Sequence, residues 1–416
     1  MADEPEIFVG RCFPQGAGTD GNRQVIRQRN WLILQKVLLI LHIDSLLLRY
    51  KLCKTLNIGR NCLCPEQRWA KNGQHREYVD QARREVENMM HPGNTTVLRW
   101  GIMGTAKIAA NAYLPAFRQC EGQDVLAVAS RTRERATAFA REHGIAQAYG
   151  SYEALLEDPR IDAVYIPLPV ALHHEWAIRC AQAGKHALVE KPLALNAEQA
   201  EAMIEAFRQR GLLLAEGMMY RYHPLNRRAY EWVREGMVGD VRHVRASFWA
   251  AAKDAKNIRM RPELGGGALL DLGCYCVSVM RWLTGAEPVD IQGVGVVKDV
   301  DVSVSGCLRF PGGQTGEFSC GLLSQFSCCY EIIGTEGRVS VPWGAMCAWP
   351  GTSFSLELRQ GENQETISVP PANHYQLLLE DFKRAWQTGE SMLIDVEDAL
   401  QNMHVLDRLR GIVYAN

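Results

Sequence analysis

From residue 97 onward the chain alternates short apolar runs with longer amphipathic ones. "VLRWGIM", residues 97–103, reads as a strand, Gly104 opens a turn, and 107–117 repeats apolar positions at helical spacing. "DVLAVAS" and then "RTRERATAFAREHG" supply a second strand and an amphipathic helix. "AVYIPLP", residues 163–169, is apolar without alternation, as expected of a strand covered on both faces in a parallel sheet. A helix over 172–183, a strand containing Val189, a helix over 197–210 and the strand "LLLAEGMM" complete the run. Strands joined by helices of this length predict an α/β, doubly wound parallel sheet. After residue 218 the rhythm changes. The β-rich stretches "VDIQGVGVV", "DVSVSGCLRF", "QTGEFSCGLL", "CCYEIIGT", "GRVSVP" and "SLELRQ" recur, and helical patterns begin near His374 and Val396. The expected domains are 97–217 and 218–416.

Residues 1–96 lack this order. They begin Gly-rich and turn-like, then run through the apolar stretch 30–50. That stretch is about long enough to span a bilayer. Lys36, His42 and Asp44 interrupt it, and a Lys or Asp costs about 2.5–3.5 kcal/mol at mid-bilayer. A segment docked on the body or loosely ordered is the expectation, and membrane anchoring is not. A start at Met89 or Met90 would make what precedes an upstream extension.

Bulk composition narrows the partners. The formal net charge is −1, with 22% charged residues, which gives no global field favouring nucleic acid or an anionic membrane. Thirteen cysteines are scattered without paired metal-ligand spacing, so reduced thiols in the cytoplasm are expected and no metal site is.

Candidate chemistry sits at four places. After the first strand, Gly104-Thr105-Ala106-Lys107-Ile108-Ala109 stands where G-x-G-x-x-G would cradle a pyrophosphate over a helix N-terminus. Ala106 at the second glycine place narrows the approach to phosphate. After the second strand, where an acid would mark NAD, stand Ser130 and Arg131, with Arg133 and Arg135 nearby. Guanidinium suits a 2′-phosphate, so NADP is favoured over NAD. "HALVEKPLALN" ends a buried strand on Glu190, Lys191 and Pro192. Lys191 is either a solvated strand end or a lysine held at the sheet's ligand-binding edge, and proline keeps it extended. Finally, "ELGGGALLDLGCYCV" places a glycine turn before a helix on which Asp271 and Tyr275 share one face. They read either as an acid/base pair or as a helix-stabilising Asp and a core Tyr.

Together "GIMGTAKIA", "PLPVALHHEWAIRCAQAGKHALVEKPLALN", "AEGMMYRYHP" and "GGGALLDLGCYCV" resemble the glucose–fructose oxidoreductase / inositol dehydrogenase family (Gfo/Idh/MocA), from about Val97 to the C-terminus. The resemblance implies a Rossmann domain followed by an α/β domain with a large, mostly antiparallel open sheet. It makes Lys191 the catalytic lysine and Asp271 with Tyr275 the rest of the acid/base set. Many members carry His where Tyr275 stands. Tyr275 resembles the subgroup of glucose–fructose oxidoreductase, dimeric dihydrodiol dehydrogenase and aldose dehydrogenases. By the same resemblance Tyr220, Arg221 and His223 line the substrate pocket. Gly104, Thr105, Ala106, Ile108, Ser130, Arg131, Arg135, Leu168, Pro169, His173, Glu190 and Lys191 meet the cofactor. Pro169-Val170 departs from the usual Pro-Asn, so an amide is missing beside His173.

The implied reaction is reversible hydride transfer between NADP and a hydroxyl-bearing carbon of a sugar or cyclic diol. A positive Lys191 would favour the Tyr275 phenolate as base. A homodimer or homotetramer through the C-terminal sheet is expected. The alternatives are a dinucleotide-binding sensor without turnover, disfavoured by the intact Lys191–Asp271–Tyr275 set, and a redox-assisted glycosidase or cofactor-retaining sugar oxidoreductase.

Overall fold

The computed structural model describes residues 97–415, apart from 253, 255, 256, 342, 345 and 348–350. The segment 1–96, with its apolar stretch and candidate start methionines, lies outside the described residues. The first sheet contains β1 (Leu98–Met103), β2 (Gln123–Ala129), β3 (Gln147–Tyr149), β4 (Ala163–Ile166), β5 (His186–Val189) and β6 (Leu214–Glu216). All are parallel, in the order β3-β2-β1-β4-β5-β6. The chain builds outward from β1 in one direction and then from β4 in the other. That reversal leaves a crevice at the carboxyl ends of β1 and β4, where open α/β sheets bind ligands.

Crossover helices cover the sheet: α1 (Leu114–Phe117), α2 (Arg133–His143), α3 (Tyr152–Leu156), α4 (His173–Gln182) and α5 (Ala197–Arg208). Their starts are chemically marked. Thr132, Ser151 and Asn196 each accept a first-turn N–H with the side chain, at α2, α3 and α5. The helix expected over 107–117 forms, but Ala109–Tyr113 winds as a π-helix before α1.

The second sheet contains β7 (Val241–Ala251), β8 (Asp290–Val297), β9 (Asp301–Arg309), β10 (Thr315–Gly321), β11 (Leu323–Gly334), β12 (Arg338–Val341), β13 (Phe354–Gln360) and β14 (Asn363–Val369). Their order is β14-β13-β12-β11-β7-β10-β9-β8, antiparallel except for β7 beside β10. The expected mostly antiparallel sheet is therefore present. Its helices are α6 (Pro224–Arg234), α7 (Cys274–Thr284), α8 (His374–Thr388) and α9 (Val396–Ala415). Three strands escape the hydropathy reading. β3 spans only Gln147–Tyr149, β14 is mostly exposed, and β7 alternates buried Val244, Ala246 and Phe248 with residues such as exposed Arg245. Pro262–Thr284 is apolar and long enough to cross a membrane, but it is 72% buried inside this body, as a core helix is.

The C-terminal helices return to the first sheet. Trp100 of β1 is fully buried between Phe117 and Phe382 of α8, at ring-centroid distances of 5.2 and 4.7 Å. Its indole N–H donates to Gln123 Oε1 (2.9 Å), whose amide donates to the Leu379 carbonyl (3.0 Å). Asp407 and Arg410 of α9 hold Ala197 N and Leu195 O. Trp100→Ala should cost about 3–5 kcal/mol, the usual loss for deleting a buried aromatic. Urea unfolding followed by circular dichroism measures it, and a loss below about 1 kcal/mol would contradict this packing.

Candidate active site

β5 delivers Lys191 to the carboxyl edge of the first sheet, ahead of a cis Lys191–Pro192 peptide bond. The ammonium donates to the Asp271 carbonyl at 2.6 Å and to Asp271 Oδ1 at 3.0 Å. Both side chains are largely buried, at 12% and 18% exposure. Asp271 reaches Lys191 from the π-helical stretch Leu269–Gly273, which runs into α7. π-turns in helices concentrate at functional sites. This helix start is anchored by Asp301 of β9, whose Oδ2 accepts Leu269 N–H at 2.7 Å while Oδ1 accepts the Tyr414 hydroxyl at 3.0 Å. The second Asp271 oxygen accepts Arg259 Nε at 2.5 Å. Burial opposes ionisation of Asp271, but the Lys191 ammonium and then the Arg259 guanidinium hold its carboxyl down at about 2. Burial opposes charge on Lys191 too, and Asp271 outweighs it, leaving the ammonium raised above its ordinary value.

Tyr275 lies beside this pair, with its ring centroid 4.8 Å from Lys191 Nζ. The ammonium faces the ring. The Tyr275 hydroxyl points to Met219 Sδ at 3.5 Å. Burial, followed by neighbours such as Tyr375 and Cys274, pushes the phenol well above its ordinary value. This direction runs against the expected phenolate, because burial favours the protonated phenol.

Glu190 faces inward. Its Oε1 accepts the Tyr165 hydroxyl at 2.7 Å, and its Oε2 accepts Lys191 N–H at 3.3 Å. It therefore fixes the backbone of the lysine beside it. Burial raises its carboxyl above the ordinary range. Glu216 of β6, which the sequence did not single out, lies half-buried nearby and accepts Leu193 N–H at 2.8 Å. Burial pushes Glu216 up to about 7.

The crevice suits a dinucleotide. Gly104 takes φ +107° as the chain leaves β1, and a Cβ there would stand 3.0 Å from Leu168 Cδ2. Thr105, Ala106, Ile108 and Pro169 are partly exposed around this turn. Ser130 is buried at the end of β2, while Arg131, Arg133 and Arg135 are exposed beyond it. The side chains of these three arginines make no hydrogen bond to another described residue. Arg131 and Arg135 lie within charge reach of the Tyr152 phenol, which stands 3.9 Å from a Cβ on Gly104. Guanidinium groups that bond no other described residue, beside a turn opened by Gly104, fit a 2′-phosphorylated dinucleotide.

Four expected site residues have other work. His173 is 1% exposed, with Nδ1 3.0 Å from the Pro192 carbonyl and Nε2 2.8 Å from the Leu168 carbonyl. Burial lowers it to about 4, so a neutral ring bridges the two loops. Tyr220 is fully buried against Tyr275, and its hydroxyl lies 3.0 Å from Ser278 Oγ. Arg221 pairs with Asp398 at 2.7 Å and stacks on Trp282. His223 is fully buried, and its Nδ1 accepts Leu225 N–H at the start of α6. These contacts give the last three packing partners within the second domain, and of the three only Tyr220 stacks against a member of the Lys191–Asp271–Tyr275 set. Arg259 is the site residue that the sequence reading missed. Its one signal is its place just before the glycine turn.

Glu216 ties the site to pH. Its folded pKa near 7 lies above the ordinary carboxylate value of 4.5, so its contribution to stability is fully present below the unfolded value and is lost as pH rises toward 7. Glu216→Gln should flatten the stability curve between about pH 4.5 and 7. Melting temperatures of both proteins across that range test this, and parallel curves would contradict it.

Residues 98–218 match the family model of the GFO/IDH/MocA oxidoreductases with an NAD-binding Rossmann fold, and 226–340 match the GFO/IDH/MocA C-terminal domain. The chain is 36% identical to a D-xylose 1-dehydrogenase (NADP(+)) of Haloferax volcanii, over 75% of this chain and 96% of the relative. It is 37% identical to a trans-1,2-dihydrobenzene-1,2-diol dehydrogenase of Danio rerio, over 76% of this chain and 98% of the relative. Among solved structures, a 3-ketoreductase from Actinomadura kijaniata in complex with NADP and TDP-benzene superposes with a TM-score of 0.71. That match is 33% identical and covers 76% of this chain and 98% of the ketoreductase. With the folded sheets, the Lys191–Asp271 pair and these matches in agreement, the chain belongs to the Gfo/Idh/MocA oxidoreductase family.

Proposed function

We propose that this chain is an NADP-dependent oxidoreductase that moves a hydride between the nicotinamide and a hydroxyl-bearing carbon of a sugar or cyclic diol. The carrying observation is Lys191 clamped by Asp271 beside Tyr275, at the crevice edge of the first sheet. The relatives named for xylose, dihydrodiol and ketosugar chemistry support the substrate class. Gly104 and its turn would hold the pyrophosphate, and Arg131 and Arg135 the 2′-phosphate. When bound, the nicotinamide supplies the hydride acceptor or donor.

The chain's own residues manage the proton. Asp271 takes two of the three Lys191 N–H groups and leaves the third for the reacting oxygen. That ammonium stabilises negative charge as it develops on the oxygen. Tyr275 rests as a neutral phenol, in the right state to donate a proton when a carbonyl is reduced. Asp271 is held ionised by two cations and anchors the lysine without accepting a proton. Oxidation of a hydroxyl runs the proton the other way, onto a group that must first lose its own. Both Lys191 and Tyr275 are raised, so the deprotonated fraction grows only as pH rises.

The reading extends to assembly and compartment. One face of the second sheet carries half-buried Ser247 and Trp249 with Arg245 and Glu317 and no covering helix among the described residues. This favours association of two copies through that face. The described cysteines are free thiols, as suits the cytoplasm.

Three measurements follow. Absorbance at 340 nm with aldoses and diols should show turnover with NADP, and Lys191→Ala should lower kcat by at least about 100-fold. A variant as active as wild type would overturn the site. The oxidative kcat/KM should climb through pH 8 to 10 while the reductive value is already high at pH 7, and a flat oxidative profile would contradict the protonated resting state. Arg131→Ala should raise KM for NADP about tenfold, the loss of about one charge-assisted hydrogen bond, with little change for NAD. Equal effects on the two cofactors would remove Arg131 from the 2′-phosphate.

A further inference from the structure

Each carboxylate oxygen of Asp271 and Glu190 already holds one donor. Asp271 Oδ1 and its carbonyl take Lys191, and Oδ2 takes Arg259. The Glu190 oxygens take the Tyr165 hydroxyl and Lys191 N–H. The donors are not used up. Arg259 spends only Nε on Asp271, and its two Nη groups make no hydrogen bond to another described residue. A guanidinium carries five N–H donors in a fixed fork, so four remain. The site thus offers a ligand guanidinium donors that no described residue uses, beside carboxylate oxygens that each already hold one donor.

Arg259 is also held in place. Its N–H donates to Asn257 Oδ1 at 3.1 Å, and its carbonyl accepts Gly267 N–H at 2.9 Å. Gly266 lies so close that a Cβ would stand 2.5 Å from the Arg259 carbonyl oxygen. The side chain is 43% exposed where Asp271 is 18% exposed. Lys191 therefore meets an oxygen deep in the site, and Arg259 meets one nearer the rim, the two cations being joined through a single carboxylate.

We infer that Arg259 is a specificity-determining residue whose free Nη groups bind the oxygen on the carbon next to the reacting one. The substrates it selects are compounds with oxygen on two adjacent carbons, and a mono-alcohol of the same shape is rejected. The inference rests on the proposed oxidoreductase reading. Its physical basis is that a donor fork left facing a methylene loses its hydration without gaining a partner.

Matched substrate pairs test it: trans-1,2-cyclohexanediol against cyclohexanol, and D-xylose against its 2-deoxy analogue, each with NADP. Wild type should favour the doubly oxygenated member by about 100-fold or more in kcat/KM. Arg259→Met, and Arg259→Lys, which keeps the charge but not the fork, should bring that ratio within about threefold. If Arg259 serves only to brace Asp271, both members of a pair fall together and the ratio is unchanged, which overturns the inference. A wild type that does not discriminate overturns it too. Calorimetric binding of the same pairs to NADP-loaded protein needs no turnover. Discrimination there that collapses in both variants, without catalysis, would support the Arg259 role while ending the oxidoreductase reading. Thermal melts of the variants show that each is folded.

Discussion

One carboxylate, that of Asp271, holds two cations from opposite sides, and the site is organised around that arrangement. Lys191 ends the fifth strand of the first sheet, Arg259 sits on the excursion after β7, and Asp271 opens the helix that underlies the second sheet. Lys191 stands 80 residues before Asp271 and Arg259 only 12, and the pairing makes a largely buried carboxylate tolerable. Removing one partner of such a group typically costs about 3–5 kcal/mol, because the other charge is left unpaired. The surrounding devices serve this junction. Asp301 pins the first N–H of the Asp271 helix, Glu190 and Tyr165 pin the Lys191 backbone, and His173 spans the loops that follow β4 and β5.

Protonation follows from the same arrangement. Asp271 is compensated by two cations and stays ionised, while burial shifts Tyr275, Glu190 and Glu216 toward their neutral forms. Carboxylates around one lysine thus shift in opposite directions, decided by the number of partners each has and not by depth alone.

Much of this was legible in the chain. Buried parallel strands must be apolar on both faces, so β1, β4 and β5 stood out, and the glycine after β1 marked the turn. Lys191 was visible as a charge where a buried strand ends, and Asp271 with Tyr275 as polar groups at helical spacing behind a glycine turn. What was not legible depends on direction and depth. Tyr220, Arg221 and His223 are neighbours in sequence, but the short 3-10 turn Met219–Tyr222 sends them to different partners. The state of Tyr275 depends on a burial that no spacing rule reports. Arg259 belongs to no periodic element, and Asp301 caps its helix from a strand 32 positions further along the chain. Long-range partners of this kind leave no local signature.

The Trp100 packing carries a consequence for how the protein is made. One face of that indole rests on Phe117, close behind it in sequence, and the other waits for Phe382. The Gln123 amide waits likewise for the Leu379 carbonyl. During synthesis from the N-terminus the first sheet can assemble early, yet its central strand keeps an unfinished apolar surface until nearly the whole chain has left the ribosome. Completion of that core therefore waits for α8, which follows every strand of both sheets in the chain.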